Sequence, residues 1–174
     1  MDLCLHKWSC GPVLSMSKYD MVRYHQAEQN VTLSIMKRII ALYGHAECGK
    51  SITMNILREL IRENGKSISS NPPYSGEQRE TFLFNGQVVC LCPGGDDGAV
   101  VKGNFAYAAS KNADIIITAC RTKGDSINEV YTQEKNLNIT AEWFRKSYEY
   151  HLCQDTLELC NQEFAMVMFD ALSK

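Results

Sequence analysis

The 174-residue sequence predicts an α/β fold of three layers, a small and mainly parallel sheet flanked by helices. Three observations carry that expectation. Apolar runs of strand length alternate with amphipathic stretches of helical length. A glycine-bounded turn, Gly44 to Ser51, stands between one such run and one such stretch. The length suits a single domain large enough to bury a real core.

Taken in order, the elements begin late in the chain. From Met1 to about Asn30 no period of 2 or 3.6 is sustained, so residues 1–35 are expected to form a loosely packed N-terminal extension. The compact domain is expected to span residues 36–174. Arg38 to Tyr43 reads as a short buried strand. Ile52 to Asn64 reads as a helix with Ile52, Ile56, Leu57, Leu60 and Ile61 on one face, stopped by Asn64-Gly65. Ser67 to Glu80 is polar, contains Pro72-Pro73, and reads as a loop. Thr81–Phe84 and Gln87–Leu91 flank Asn85-Gly86, the pattern of a type I′ hairpin. Ala99 to Ser110 is expected to be helical despite Gly103, and Ala113 to Ala119 is expected to be a buried strand. Trp143–Tyr150 and Asp155–Leu172 read as helices, the second with Leu159, Phe164, Val167, Met168 and Leu172 on a core-facing stripe.

Gly44-His45-Ala46-Glu47-Cys48-Gly49-Lys50-Ser51 fits the pattern G-x-x-x-x-G-K-[ST] at each fixed position, between a strand and a helix. Gly44 and Gly49 allow backbone angles that turn successive N–H groups inward around a phosphate. The helix that starts there adds its N-terminal partial charge. Lys50 supplies a mobile cation for β- and γ-phosphates, and the Ser51 hydroxyl suits Mg²⁺. His45, Ala46, Glu47 and Cys48 fill the variable positions, where side chains need no special role. The whole segment Gly44 to Ile52 is the expected nucleotide-binding stretch. Over about Lys37 to Gly65 the chain resembles the P-loop NTPase superfamily, and that resemblance implies a P-loop NTPase-like fold that binds a nucleoside triphosphate with Mg²⁺.

Two further places are candidates to complete such a site. Cys92-Pro93-Gly94-Gly95-Asp96-Asp97-Gly98 follows the hairpin, where an acidic residue after a buried strand helps to hold Mg²⁺ or orient water. Asp96 is the candidate and Asp97 the runner-up, although a surface turn with Asp97 as a helix N-cap fits the same letters. Arg121-Thr122-Lys123-Gly124-Asp125 follows the strand ending near Ala119, and strand C-terminal ends are where open α/β sheets bind ligands. Arg121 or Lys123 is therefore a candidate to neutralise transferring charge. The candidate catalytic set is Lys50, Asp96 and Arg121; the metal set is Ser51 and Asp96.

Thr122 to Asp125 also resembles the guanine-reading N/T-K-x-D motif of GTPases, and Pro93-Gly94 resembles their D-x-P-G element. Leu91 occupies the position of that element's aspartate, and only one helix and one strand fit between Pro93 and Thr122. ATP is the default nucleotide. Three functional classes follow. The first is a Mg²⁺-dependent ATP-binding protein, with or without slow hydrolysis. The second is a small-molecule or nucleotide kinase. The third is a GTPase-like or nucleotide-switched interaction module, with the N-terminal segment or C-terminal helices as partner surfaces.

Composition limits the partners. A net charge of −2 gives no broad basic field for nucleic acid or membrane, and the longest apolar runs are too short to span a bilayer. The eight cysteines contain no C-x-x-C pair, which argues for free thiols in a reducing, cytoplasmic setting.

Overall fold

The computed structural model describes residues 36–70, 78–147 and 154–174, and all of them belong to one compact unit spanning Thr32–Lys174. The expected N-terminal extension, residues 1–35, lies outside the described residues. The elements run β1 (Arg38–Gly44), α1 (Lys50–Asn64), β2 (Lys66–Ser70), β3 (Glu80–Phe84), β4 (Gln87–Cys92), α2 (Gly98–Ser110), β5 (Ile115–Cys120), α3 (Asp125–Leu137), β6 (Glu142–Lys146) and α4 (Gln154–Leu172).

Six strands form one mixed sheet in the order β2-β3-β4-β5-β1-β6. Parallel pairings join β4 to β5, β5 to β1 and β1 to β6, while β3 runs antiparallel to both β2 and β4. β5 is buried along its whole length and β1 along most of it, as continuous apolar strands flanked on both faces must be. Alternate residues of each strand serve different cores. Ile39, Ala41, Cys90, Cys92 and Ile116 pack with Val101, Phe105 and Ala108 of α2 and with Ile127 and Val130 of α3. Ile40, Leu42, Val89, Leu91, Ile115 and Ile117 pack with Met54, Leu57 and Ile61 of α1 and with Ala165, Met168 and Leu172 of α4. Helices therefore cover both faces, giving the three layers expected.

The Asn85-Gly86 hairpin forms as expected, with φ of 48° and 76° at the two turn residues. Several expectations need correction. Of the stretch Ser67 to Glu80, read as a loop, Ser67–Ser70 belongs to edge strand β2, Glu80 opens β3, and residues 71–77 lie outside the described residues. The Lys-Ser-Ile-Ser-Ser composition of β2 shows no apolar pattern because an edge strand with solvent beside it needs none. Of Trp143–Tyr150, read as a helix, Trp143–Lys146 belongs to strand β6, and residues 148–150 lie outside the described residues. In β6 the adjacent aromatics point to opposite faces, Trp143 toward the α2–α3 core and Phe144 toward the α1–α4 core. Two neighbouring apolar residues fit a period of 2 as well as a helical one.

Helix α3 shows no apolar stripe in the sequence, because Ile127 and Val130 are its only buried apolar residues. On α1, Ile52 is 49% exposed, whereas Thr53, Met54, Leu57, Arg58 and Ile61 are buried. On α4, Leu159 and Val167 are exposed and Asn161 and Ala165 take their places in the packed stripe. Phase errors of one residue explain both, since the buried arc of each helix is rotated toward its polar members.

Candidate functional site

The C-terminal ends of the parallel strands meet at one edge of the sheet. Tyr43 is in register with Cys120, Gly44 with Lys146 and Cys92 with Thr118. The Gly44–Ser51 segment leaves β1 at that edge and enters α1. Glu47 has φ 60° and Gly49 has φ 86°, so the chain passes twice through left-handed backbone before the helix starts. Gly49 is the N-cap, with no side-chain capping bond, and the first turn of α1 carries no acidic residue. Thr53 N donates the first helical hydrogen bond, to Gly49 O at 2.9 Å. The amides of Lys50, Ser51 and Ile52 precede that bond and point their partial positive charge out of the helix start.

Lys50 turns back over this loop. Its Nζ donates to Gly44 O at 3.0 Å and His45 O at 2.6 Å, and lies 3.9 Å from Cys48 Sγ. Ser51 is exposed beside it. Cys48 is buried, and a Cβ on Gly44 would stand 2.6 Å from both its sulfur and Lys146 O, so only glycine fits where β1 leaves the sheet. The packed sulfur supports the loop from inside.

On the β5–β4 flank, the Cys92–Gly98 turn folds over the end of β5. A Cβ on Gly95 would meet Ala119 O at 2.1 Å, which measures how tightly the turn is pressed onto that strand. Buried Asn104 of α2 holds it there, with Nδ2 donating to Gly94 O at 2.6 Å and to Thr118 Oγ1 at 3.0 Å. Arg79 Nε in turn donates to Asn104 Oδ1 at 2.8 Å. Asp96 and Arg121 meet as an ion pair, with Nη2 2.9 Å and Nε 3.1 Å from Asp96 Oδ1. Both are solvent-exposed, and the structure records no bond from either to Lys50 or Ser51. Asp97 Oδ1 accepts from Val100 N at 2.8 Å, so it is the N-cap of α2. Lys123 is exposed in the turn before α3, on the same flank.

The opposite flank was not apparent in the sequence. There β6 and α4 close on the loop. Lys146, the last residue of β6, is 6% exposed, and its Nζ sits 4.9 Å from the centroid of the Phe164 ring. Burial pulls the Lys146 pKa below the ordinary lysine value, with the Cys48 and Cys160 thiols opposing that shift. Asn161, also buried, accepts from Thr53 Oγ1 at 3.3 Å and lies against Gly49, where a Cβ would stand 2.6 Å from its Oδ1. Between these elements lies a cavity of about 570 Å³ whose walls include Cys48, Gly49 and Ile52 of the loop and helix start. Arg145 and Lys146 stand as a bare basic pair in the sequence; only the packing of α4 reveals which of them is buried.

Only one helix and one strand, α2 and β5, separate Pro93 from Thr122. No protein-family model matches the chain, and no curated protein is similar to it.

Proposed function

We propose that the chain binds a Mg²⁺–nucleoside triphosphate at Gly44–Ser51, with ATP as the nucleotide and slow hydrolysis as the accompanying reaction. The observation that carries this reading is the helix start itself. An uncapped helix N-terminus, approached through left-handed backbone at the C-terminal edge of parallel strands, has its lysine folded over it. Amides and dipole there favour an anion, and Lys50 can exchange two carbonyl partners for phosphate oxygens. This is what the resemblance to the P-loop NTPase superfamily implies for the same residues.

Each residue then has a role that follows from its place. The backbone from Gly44 to Ser51 would bind phosphate oxygens, and Ser51 Oγ would be an oxygen ligand for the metal. Mg²⁺ would neutralise phosphate charge there. Asp96 is the acid on the β4–β5 flank suited to support the metal or hold the attacking water. Arg121 is the cation on that flank suited to neutralise charge, and Lys123 is a further one in the same turn. For either Asp96 or Arg121 to act, their mutual ion pair must open, and an exposed pair of this kind costs under about 1 kcal/mol to part.

Calorimetric titration of the full chain with Mg²⁺–ATP, Mg²⁺–GTP and the Lys50→Ala variant tests the reading. ATP is expected to bind the wild type, and Lys50→Ala is expected to weaken it by roughly 10-fold or more, the value of a charge-assisted hydrogen bond. A folded wild-type chain that binds neither nucleotide would sink the proposal.

A further inference from the structure

The loop has two flanks, and a triphosphate held by its amides must extend its nucleoside over one of them. On the β5–β4 flank the chain is filled in: Gly95 is jammed onto β5, and Asp96 and Arg121 neutralise each other in solvent. The β6–α4 flank holds the cavity of about 570 Å³, which lies within the range of about 300–1,000 Å³ that small-molecule sites occupy. It is continuous with the loop through Gly49 and Ile52.

Its walls have the chemistry of a base and ribose. Ile52, Leu157 and Val167 are apolar, and Phe164 adds an aromatic ring. Ile52 and Val167 are 49% and 55% exposed, an unusual state for two β-branched aliphatic residues that face the same hollow. A flat heterocycle between them would remove that surface from water. Polar side chains, Glu47, Arg145 and Glu163 among them, share the walls, and two of these polar residues, Lys146 and Asn161, are more than nine-tenths buried.

Lys146 is the second, independent sign. No carboxylate pairs with it among the described residues; its ammonium rests on the face of Phe164 instead. An ammonium on a largely buried stem at the cavity wall, with no carboxylate beside it, suits an anion. Its Cε lies 3.3 Å from where a Cβ on Gly49 would stand, so the charge sits where the cavity joins the loop.

Resting on the triphosphate reading above, we infer that this cavity is the nucleoside site. The base and ribose occupy the hollow between Ile52, Leu157, Val167 and Phe164, and Lys146 meets the phosphate nearest the ribose. The guanine-type reading of Thr122–Asp125 would put the base on the other flank, across β1 from β6.

Calorimetry with two probes, Mg²⁺–ATP and Mg²⁺–tripolyphosphate, separates this inference from the reading beneath it. Val167→Trp, and Leu157→Trp from the facing wall as a second variant, would fill the hollow; circular dichroism checks that each folds. The expected result is that wild type prefers ATP to tripolyphosphate by 10-fold or more. Filling the cavity should then erase most of that preference while tripolyphosphate affinity stays within about twofold, and Lys50→Ala should weaken both probes. Equal wild-type affinity for the two probes would overturn the inference, as would ATP binding unchanged in both filled variants. An equal loss of both probes on filling would overturn it too, because the loop rather than a nucleoside site would then have been disturbed. Failure of the phosphate reading shows differently: wild type would bind neither probe.

Discussion

Lys146 joins stability to the inferred phosphate contact in one side chain. Its folded-state pKa lies below the 10.5 of a free lysine, with burial the largest cause. A lowered basic pKa means that folding disfavours the charged form. The cost is present in full below the folded-state pKa, shrinks as pH rises from there, and is gone above 10.5. Lys146→Met keeps the stem and removes the charge. It should raise the melting temperature at pH 7 by about 2–4 °C for each kcal/mol relieved. The difference from wild type should narrow as pH approaches 10.5. The same substitution is expected to weaken Mg²⁺–ATP binding by at least a few-fold. Thermal melts across pH, paired with calorimetry, check both halves. A variant that is both less stable and unchanged in affinity would contradict the account. Opposed changes are the mark of a group retained for binding at a cost to the fold.

At the scale of elements, the strand–loop–helix unit was legible because its signals are local. Lys50 and the two glycines lie within eight residues, and the flanking apolar runs have unambiguous length. The hairpin was legible for the same reason. Strand β6 and the docking of α4 were not, because their meaning comes from partners far along the chain: Gly44 pairs with Lys146, and Thr53 bonds to Asn161. Half of the candidate site is assembled by such contacts, and no local pattern announces them. Polar β2 was hidden in a similar way. It is tied down by Glu80 of β3, which is 2% exposed and accepts from Ser67 Oγ at 2.6 Å and Arg62 Nη2 at 2.6 Å. Arg58, itself nearly buried, lies 3.5 Å from the same carboxylate. Glu80→Ala would strand the Arg58 charge and part α1 from β2 and β3, so a loss of about 3 kcal/mol is expected in urea unfolding. A loss under about 1 kcal/mol would show that solvent already screens the cluster.

At the scale of the whole molecule, the sheet sorts the site by direction. Every parallel strand ends at the same edge, and the side of β1 on which a strand lies decides what its C-terminal residue meets. β4 and β5 deliver Asp96 and Arg121 to one side, and β6 delivers Lys146 to the other. The sequence showed Asp96, Arg121 and Lys123 as candidates with no way to place them across the loop, because strand order is a non-local property. A base placed on the β6 flank, as inferred above, would lie across β1 from the turn that carries Lys123 and Asp125.

The same layering has a chemical corollary. Cys90, Cys92 and Cys120 are fully buried free thiols in strands of the central sheet, and Cys160 on α4 is half-buried. Burial raises the thiol pKa of Cys90 and Cys92 and pushes that of Cys120 up to about 12. Alkylating reagents attack thiolates, so these three sulfurs react only in molecules whose sheet has opened. They are a built-in clock for unfolding. With peptide-resolved mass spectrometry, Cys160 should be labelled first, and the other three together, at one common rate. Added nucleotide should slow that common rate by the factor 1 + [L]/Kd, so that its logarithm falls in proportion to the stability conferred. Three cysteines buried in the sheet thus report whether a ligand has been bound.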